Sequence, residues 1–391
     1  MSDKTIHSLK ITNFKSVDSL EIKGLTPFSV FAGANGSGKS NFFDALDFVK
    51  AFISTGLENA LNLQGGIDNI RPIQKGEGTN WNFGFEIVCE LPANLTDAVQ
   101  KTSIYRYSLT IHDIERSPSL EECLFENDNS LLNREQGQSF SISLEDSSST
   151  SIKIPKDYSL LRMYSESSFG NPLAILILNI KIYRINASYA KEPGLTVHNK
   201  ISLDSRGRNL ASVLSRIESN ESLRDLIMEY MELIVPGMED IKTTQDYLDG
   251  KTGILFKEDG IERRFPAHMV SDGTIYALCI LVEVLDTDNR QPCFGLTLIE
   301  EPEIGLHPKA IRELIIMMRE KALPENPIWL STHSISVVRE SRMEELLLVN
   351  KVHGHTRMKS ADSGNLKQAD LAPLNLDEAW LSNLLNGGLP W

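Results

Sequence analysis

Residues 33–40 are Gly33-Ala34-Asn35-Gly36-Ser37-Gly38-Lys39-Ser40, a full match to the pattern GxxxxGK[ST]. The apolar run FSVFAG before them predicts a buried strand, and apolar residues at helical spacing after them predict an amphipathic helix. In such a strand–loop–helix unit, glycines let backbone N–H groups surround phosphate oxygens at a helix N-terminus. Lys39 can then reach the β- and γ-phosphates, and the Ser40 hydroxyl suits Mg²⁺. The stretch therefore predicts a nucleoside-triphosphate site.

An apolar strand that ends in two carboxylates follows much later in the chain. Residues 296–301 are LTLIEE, so Glu300 and Glu301 lie at the strand's end. In an enzyme with a phosphate loop, such acids hold the Mg²⁺ shell and polarise the attacking water. Glu300 is therefore predicted to face the metal and Glu301 to orient the nucleophile. The alternative is a core strand that runs into an acidic helix cap.

Two further motifs flank this acidic strand. Ser271-Asp272-Gly273-Thr274 opens an apolar helix, and free N–H groups at a helix N-terminus bind anions. His333, in STHS after the apolar strand IWL, can hydrogen-bond a γ-phosphate or its attacking water. An isolated histidine is more often structural, but the order of the motifs favours a functional one here.

The charge of the chain limits its contacts with nucleic acid. Its 391 residues include 39 Lys and Arg against 53 Asp and Glu, a formal net charge of −14. A protein whose whole surface contacts DNA is basic. At this net charge, any contact with DNA must therefore come from a local basic patch. Residues 181–208 are the candidate, with six basic residues against two acidic ones and Tyr183 and Tyr189 interleaved. The alternative is a solvated face with core tyrosines.

Cysteine usage and hydropathy bear on the compartment. The four cysteines form no CxxC pair, the chain opens without a charged-then-apolar leader, and no apolar run is long enough to span a membrane. We therefore expect a cytoplasmic protein with no membrane contact. The cysteines are Cys89, Cys123, Cys279 and Cys293.

The pattern of the remaining segments predicts an α/β fold. Alternating strands are predicted from about 80 to 165, buried strand character over 171–190, and helices near 208–218 and 221–235. A hairpin is predicted to join ILF and IERRF, while helix and strand alternate from 266 to a looser tail that contains a flexible basic loop. The predicted divisions are 1–60 and 266–391, which together form the nucleotide-binding domain, and an inserted β-lobe and helical lid at 61–265.

With these motifs in place, the chain resembles the ABC-type ATPase heads of the SMC, RecF and OLD proteins, and more closely the stand-alone RecF/OLD-like ATPases of bacteria. The resemblance rests on LKITNFKSVDSLEI, GANGSGKSNFFDAL, SDGT, LTLIEEPEIGLHP and STHS, in that order. It covers the first 50 residues and 266–335 well, and the middle only loosely. It implies a P-loop NTPase fold with a mixed or parallel sheet, and ATP and Mg²⁺ as cofactors.

The resemblance also implies roles for individual residues. Glu301 would be the catalytic carboxylate, His333 the switch histidine, Ser40 and Glu300 the metal-binding residues, and Glu303–His307 the D-loop. The signature motif of one head would cover the nucleotide held by the other, so that two heads sandwich two ATP molecules. The implied nucleotide-binding residues are Gly33, Ala34, Asn35, Gly36, Ser37, Gly38, Lys39, Ser40, Ser271, Asp272 and Gly273.

The chain also departs from the family pattern. Glu300 stands where many ABC proteins have Asp, the signature is SDGT instead of a two-glycine form, and Gln64 and Gln74 both remain candidates for the Q-loop glutamine. The insertion of 230 residues argues against a transporter head, and the 58 residues after His333 are too few for a Toprim nuclease. The expected function is ATP-dependent dimerisation that controls a partner protein, such as a nuclease encoded nearby, or DNA, in bacterial anti-phage defence. A RecF-like repair ATPase and a nucleotide-gated scaffold are the alternatives.

Overall fold

The structure is a computed structural model of the chain. The residues it describes are 5–76, 79–93, 102–137, 140–143, 151–154, 156–162, 171–195, 202–246, 250–286, 294–363, 374–385 and 387–389.

The described strands fall into four sheets. They are β1 (Ile6–Phe14), β2 (Val17–Lys23), β3 (Phe28–Ala32), β4 (Phe83–Pro92), β5 (Thr102–His112), β6 (Ser119–Glu126), β7 (Asn129–Arg134), β8 (Phe140–Ser143), β9 (Ser151–Ile154), β10 (Ile180–Tyr183), β11 (Gly194–Leu195), β12 (Met238–Gln245), β13 (Lys251–Glu258), β14 (Phe265–Pro266), β15 (Leu296–Glu300), β16 (Ile328–Thr332), β17 (Leu346–Val352) and β18 (His355–Ser360).

The α-helices lie between and around these sheets. They are α1 (Lys39–Thr55), α2 (Leu57–Leu63), α3 (Ile67–Ile70), α4 (Pro172–Leu178), α5 (Ala187–Ala190), α6 (Leu210–Ile217), α7 (Glu221–Ile234), α8 (Asp272–Leu285), α9 (Pro308–Lys321), α10 (Ile335–Glu340) and α11 (Leu376–Leu381).

A mostly parallel sheet forms the centre of the fold. Its order is β10-β15-β16-β3-β17-β18, in which β18 alone runs antiparallel to its neighbour. The register pairs Glu300 with Ser331 and Thr332 with Ala32. The carboxyl ends of these strands therefore meet at one edge, where ligands bind in open parallel sheets. This architecture confirms the predicted P-loop α/β fold.

A second, antiparallel sheet packs on one side of the central sheet, with α1 between the two. Its order is β2-β1-β4-β5-β6-β7. Phe48 of α1 lies within 6 Å, ring centre to ring centre, of Phe14 and Phe83 in this sheet. On the opposite side, Phe42 of α1 lies 5.2 Å from Phe31 in β3. These buried aromatic contacts fix the helix that follows the phosphate loop between two sheets.

The opposite face of the central sheet is covered by helices. Helix α8 is buried over almost its whole length, and it joins α6, α7 and α9 in one apolar core with Val30 and Leu330 of the sheet. A smaller antiparallel sheet, β11-β13-β12 with β14 beside β13, completes this side. The hairpin predicted between ILF and IERRF is confirmed only in its pairing, since Phe256 of β13 pairs with Phe265 of β14, while residues 261–264 lie in the connection.

The prediction of strand character over 171–190 was wrong outside β10, because residues 172–178 and 187–190 are helical. Residues 172–178 form α4, because the Asn171 side chain accepts hydrogen bonds from the N–H groups of Leu173 and Ala174, and Pro172 occupies the first helical turn. Asn caps and first-turn prolines both favour helix starts. Only β10, which follows at once, has the predicted buried strand character.

The prediction of a loose tail with a flexible basic loop at 351–367 was also wrong where the structure describes it. Strand β17 lies parallel to β3 in the central sheet, and β18 pairs with β17. Exposed basic residues alternate with more buried ones in β18 because it is the edge strand of the sheet, with one side in solvent. Residues 364–367 lie outside the described residues.

The predicted divisions at residues 60 and 265 stay predictions. Two of the sheets contain strands from both sides of these divisions. Strands β1 and β2 join β4–β7, and β10 joins the central sheet. Across the described ranges, no helix is long and apolar enough to cross a membrane. Cys89, Cys123 and Cys279 are free thiols, and Cys293 lies outside the described residues.

Candidate active site

The phosphate loop connects β3 to α1 at the carboxyl edge of the central sheet. Gly36 and Gly38 have positive φ angles of 77° and 103°, a conformation that side chains with a β-carbon rarely adopt. A β-carbon on Gly38 would also lie 1.8 Å from the Thr356 hydroxyl oxygen. Both glycines are therefore needed for the backbone path that the sequence pattern predicts.

Lys39 lies folded over this loop. Its amine donates hydrogen bonds to the carbonyl oxygens of Gly33, at 2.7 Å, and Ala34, at 3.0 Å. Burial lowers the pKa of the Lys39 amine, while Glu301, Glu303 and Glu300 oppose that shift. A buried amine on a glycine-rich loop fits the phosphates of a nucleotide, which can replace the two carbonyl acceptors.

Residues from the far end of the chain brace the phosphate loop. The Thr356 hydroxyl of β18 donates to the Ser37 carbonyl oxygen at 3.1 Å and lies 2.7 Å from the Ser16 hydroxyl. The Ala34 N–H donates to the Gly388 carbonyl oxygen at 3.1 Å. The sequence carries no signal for these contacts, since no local pattern links positions more than 300 residues apart.

The two predicted metal-binding residues meet at the end of β15. The Ser40 hydroxyl donates to Glu300 Oε2 at 3.0 Å. Arg184 Nε donates to the other oxygen, Oε1, at 2.7 Å, and the Tyr276 hydroxyl donates to the Glu300 backbone carbonyl at 2.8 Å. A hydroxyl beside a carboxylate is a hard-oxygen set that fits Mg²⁺, so the residues present fit the cation.

Glu301 and His333 form a pair beside the phosphate loop. His333 Nδ1 lies 3.1 Å from Glu301 Oε1, and their side chains are 42% and 37% exposed. Glu301 has a φ of 52°, and its N–H donates to the Ser331 carbonyl oxygen at 2.8 Å. This turn aims a carboxylate and an imidazole to the same open side of the sheet, where both can contact a water molecule.

Glu303 is a buried carboxylate behind this pair. Its Oε1 accepts a hydrogen bond from the Thr332 hydroxyl at 2.7 Å, its side chain is 8% exposed, and Oε2 has no hydrogen-bond partner in the described part of the chain. Burial raises the pKa of Glu303, while the Thr332 hydrogen bond opposes the shift. From the sequence, Glu303 is predicted only as part of the D-loop.

The signature residues lie at the start of α8. The Ser271 hydroxyl caps the helix by accepting from the Thr274 N–H at 3.1 Å, Lys191 pairs with Asp272, and the Gly273 backbone contacts Gly305. Within the described residues, no hydrogen bond or ion pair joins Ser271 or Asp272 to the phosphate loop of the same chain. The structure therefore gathers the phosphate loop, Glu300, Glu301 and His333, but leaves the signature apart from them.

The predicted nucleic-acid segment is partly occupied by internal ion pairs. Lys181 lies 3.3 Å from buried Glu283, Arg184 pairs with Glu300 and Asp44, and Lys191 pairs with Asp272. Tyr183 is buried in the core.

Two exposed arginines remain in that segment, Arg206 and Arg208, and the second stacks on Tyr189 at 4.7 Å. Lys200 lies outside the described residues. DNA contact through 181–208 therefore stays a prediction, and among the described residues of the segment these two arginines are its candidates.

Neither candidate Q-loop glutamine contacts the site carboxylates directly. Gln64 reaches Asp47 at 3.5 Å, and exposed Gln74 contacts His355 of β18. The identity of the Q-loop residue stays open between them.

The fold and the site define a P-loop ATPase with the fold of an SMC head. The chain belongs to the family described as "AAA domain, putative AbiEii toxin, Type IV TA system", whose model matches residues 28–339. The word toxin belongs to the name of the family, and the match does not show that this chain is a toxin. No curated protein matches.

Solved structures of SMC heads share the fold over nearly the whole chain. An SMC head bound to the C-terminal winged-helix domain of ScpA is 14% identical, with a TM-score of 0.55, and the match covers 96% of this chain and 99% of that one. An SMC head with an extended coiled coil, bound to the C-terminal domain of ScpA from Pyrococcus furiosus, is 13% identical, with a TM-score of 0.52 and coverage of 97% and 99%.

Proposed function

We propose that this ATPase hydrolyses ATP in a Mg²⁺-dependent reaction and that ATP binding joins two copies of the chain into a dimer. The observation that carries the proposal is the Glu301–His333 pair, 3.1 Å apart, at the strand ends that also position Lys39 and Ser40. In this proposal, the dimer controls a partner protein or DNA in bacterial anti-phage defence, in the cytoplasm.

In this proposal, each side chain of the site has a role in hydrolysis. The Lys39 amine leaves the loop carbonyls and binds the β- and γ-phosphates, which orients the γ-phosphate toward Glu301. The Glu301 carboxylate accepts a hydrogen bond from the attacking water, and His333 holds Glu301 and contacts the γ-phosphate oxygens. A Mg²⁺ ion at Ser40 and Glu300 would neutralise charge on the phosphate oxygens.

Exposed apolar side chains support the association of two copies. Met269 is 62% exposed beside the signature, Ile304 43% in the D-loop, and Ile335 43% after His333. Each lies within three residues of a proposed site residue, so a second copy that covers these groups would also cover single exposed apolar side chains. Contact in trans is compatible with the described residues, in which no hydrogen bond or ion pair joins Ser271 or Asp272 to the phosphate loop of the same chain.

The proposed role in defence rests on the resemblance and on the description of the family, which refers to toxins and Type IV systems. No partner is identified by the contacts of this chain. A neighbouring gene for a nuclease or toxin would support control of an effector, while neighbours that encode repair proteins would favour the RecF-like alternative.

The test uses Glu301→Gln, which keeps the size of the side chain but removes its charge. We expect phosphate release to fall by about 10²- to 10⁴-fold, because a positioned general base contributes that much. With ATP and MgCl₂, the variant should also accumulate as a dimer in size-exclusion chromatography with light scattering.

Lys39→Ala is the matched control, since it should abolish both nucleotide binding and dimerisation. Wild-type turnover in Glu301→Gln would contradict the catalytic assignment. Negligible turnover in the wild type, with dimerisation retained, would instead support a nucleotide-gated scaffold.

A further inference from the structure

Arg184 lies beside the proposed metal site, although it is more than 100 residues from either motif that forms the site. Strand β10 runs parallel to β15, and Tyr183 is in register with Ile299. Arg184 and Glu300, which follow Tyr183 and Ile299 in their chains, therefore lie at the same level, and Arg184 is next to Glu300. The Arg184 N–H also donates to the Ser205 carbonyl oxygen at 2.9 Å, so its backbone is held in place.

The Arg184 guanidinium joins two carboxylates. Its Nε donates to Glu300 Oε1 at 2.7 Å, and its Nη2 pairs with Asp44 of α1. Asp44 is held from its other side by Lys15, at 2.6 Å. Burial alone would lower the pKa of Arg184, but Glu300 and Asp44 raise it above its ordinary value, so the group stays charged. A planar guanidinium can serve two acceptors at once, which a lysine ammonium does less well.

These contacts fix how Glu300 faces Ser40. With Oε1 held by Arg184, Oε2 is left to accept from the Ser40 hydroxyl. That hydrogen bond orients the lone pairs of the Ser40 oxygen away from Glu300 and toward a cation. Without Arg184, the carboxylate can rotate about its terminal bond, and the cluster of Lys15, Asp44, Arg184 and Glu300 gains one uncompensated negative charge.

We infer that Arg184 is a positioning residue of the metal site, which holds the Glu300 carboxylate so that Ser40 is oriented to bind Mg²⁺. This inference rests on the proposed function and deepens it. It also gives Arg184, which belongs to the candidate DNA-binding segment 181–208, a role at the nucleotide site instead of in DNA contact. Residues that orient metal ligands commonly change metal affinity by about 10- to 100-fold when they are removed.

The test measures how strongly Mg²⁺ and the nucleotide promote each other's binding. The affinity for adenylyl imidodiphosphate is measured by calorimetry in MgCl₂ and in EDTA, and the ratio of the two dissociation constants reports the coupling. For Arg184→Ala, we expect the ratio to fall by about tenfold, with the affinity in EDTA near the wild-type value, because Arg184 does not contact the phosphate loop. Arg184→Lys should restore part of the coupling.

Arg206→Ala is the matched control, an exposed arginine from the same segment, and it should keep the wild-type ratio. Ser40→Ala should lose the coupling as Arg184→Ala does. If Arg184→Ala keeps a ratio within threefold of wild type, or loses affinity equally in both conditions, the inference is wrong; a larger fall confined to MgCl₂ supports it.

Circular dichroism and thermal unfolding check that each variant folds, and Arg184→Gln provides a second substitution if alanine does not. If the wild-type chain binds no nucleotide in either condition, the proposed function itself fails, which separates that result from a failure of the role of Arg184 alone.

Discussion

The contact between Gly273 and Gly305 provides a strong test of how the signature is coupled to hydrolysis. A β-carbon on Gly273 would lie 2.1 Å from the Gly305 carbonyl oxygen and 2.6 Å from its carbonyl carbon. Both neighbouring atoms belong to backbone, so no flexible side chain can turn away. The φ angle of Gly273 is not positive, so the backbone itself would accept an alanine. Only the contact with Gly305 opposes the substitution.

The size of the effect follows from these distances. Ordinary contact begins at 3.4 Å, so the start of α8 and the D-loop must separate by roughly 1.3 Å. A misplacement of about 1 Å near a reaction centre can cost about 10²-fold in rate, or about 2.7 kcal/mol in activation free energy. Overpacking of this kind also destabilises the fold by about 1–3 kcal/mol.

We therefore expect Gly273→Ala to hydrolyse ATP about 100-fold more slowly in a steady-state phosphate-release assay. Its affinity for nucleotide as a monomer should stay close to wild type, because Gly273 lies apart from the phosphate loop of its own chain. Gly253→Ala is the matched control, since a β-carbon there would meet only side-chain atoms at 3.9 Å.

Two results would refute this reasoning. Wild-type turnover in a folded Gly273→Ala chain would show that the Gly273–Gly305 contact does not affect the position of the hydrolytic residues. A loss of nucleotide affinity in the monomer, as large as the loss of rate, would show that the signature acts on the phosphate loop of its own chain.

Two further predictions concern buried groups around the site. Burial raises the pKa of Glu303 above its ordinary value of 4.5, so the folded chain keeps this proton to a higher pH than the unfolded chain does. The free energy of unfolding therefore falls as pH rises from about 4.5 through the raised pKa. Glu303→Gln has no such proton to lose, so its thermal stability relative to wild type should be higher at about pH 8 than at about pH 4. The same stability difference at both pH values would contradict this prediction. Thr356→Val leaves the Ser37 carbonyl oxygen without its hydrogen-bond donor. We therefore expect thermal unfolding to show a loss of about 1–3 kcal/mol in the free energy of unfolding, together with weaker nucleotide binding. If both values are unchanged, β18 does not brace the phosphate loop.

The sequence was sufficient for the parts of the site whose function depends on local backbone geometry. The Gly33–Ser40 loop and the strand that ends in Glu300 are identifiable because a tight turn needs glycine and a buried strand needs an apolar run. The same local logic misread residues 172–178, where an apolar run without polar interruption is compatible with helix and strand alike. The capping side chain of Asn171 decided between them.

The remaining parts depend on contacts between distant segments, which no local pattern encodes. The basic residues of 181–208 appear in the sequence as a charged stretch, although Arg184 and Lys191 are paired with carboxylates brought near by the sheet and by α8. Thr356 likewise carries no motif, and its role beside Gly38 follows only from the place of β18 in the fold. Charge counts along a chain therefore overestimate the surface that is free to contact nucleic acid.

Residues 301–307 link the two halves of the proposed mechanism. At one end, Glu301 pairs with His333 and Glu303 accepts from Thr332; at the other end, Gly305 contacts Gly273. The backbone between them is closed by hydrogen bonds from the Ile304 N–H to the Glu301 carbonyl and from the Leu306 N–H to the Glu303 carbonyl. Because this turn is short and internally bonded, a shift at one end moves the other. In the proposed dimer, we therefore expect the groups that orient water to move together with the surface that covers the partner copy's nucleotide.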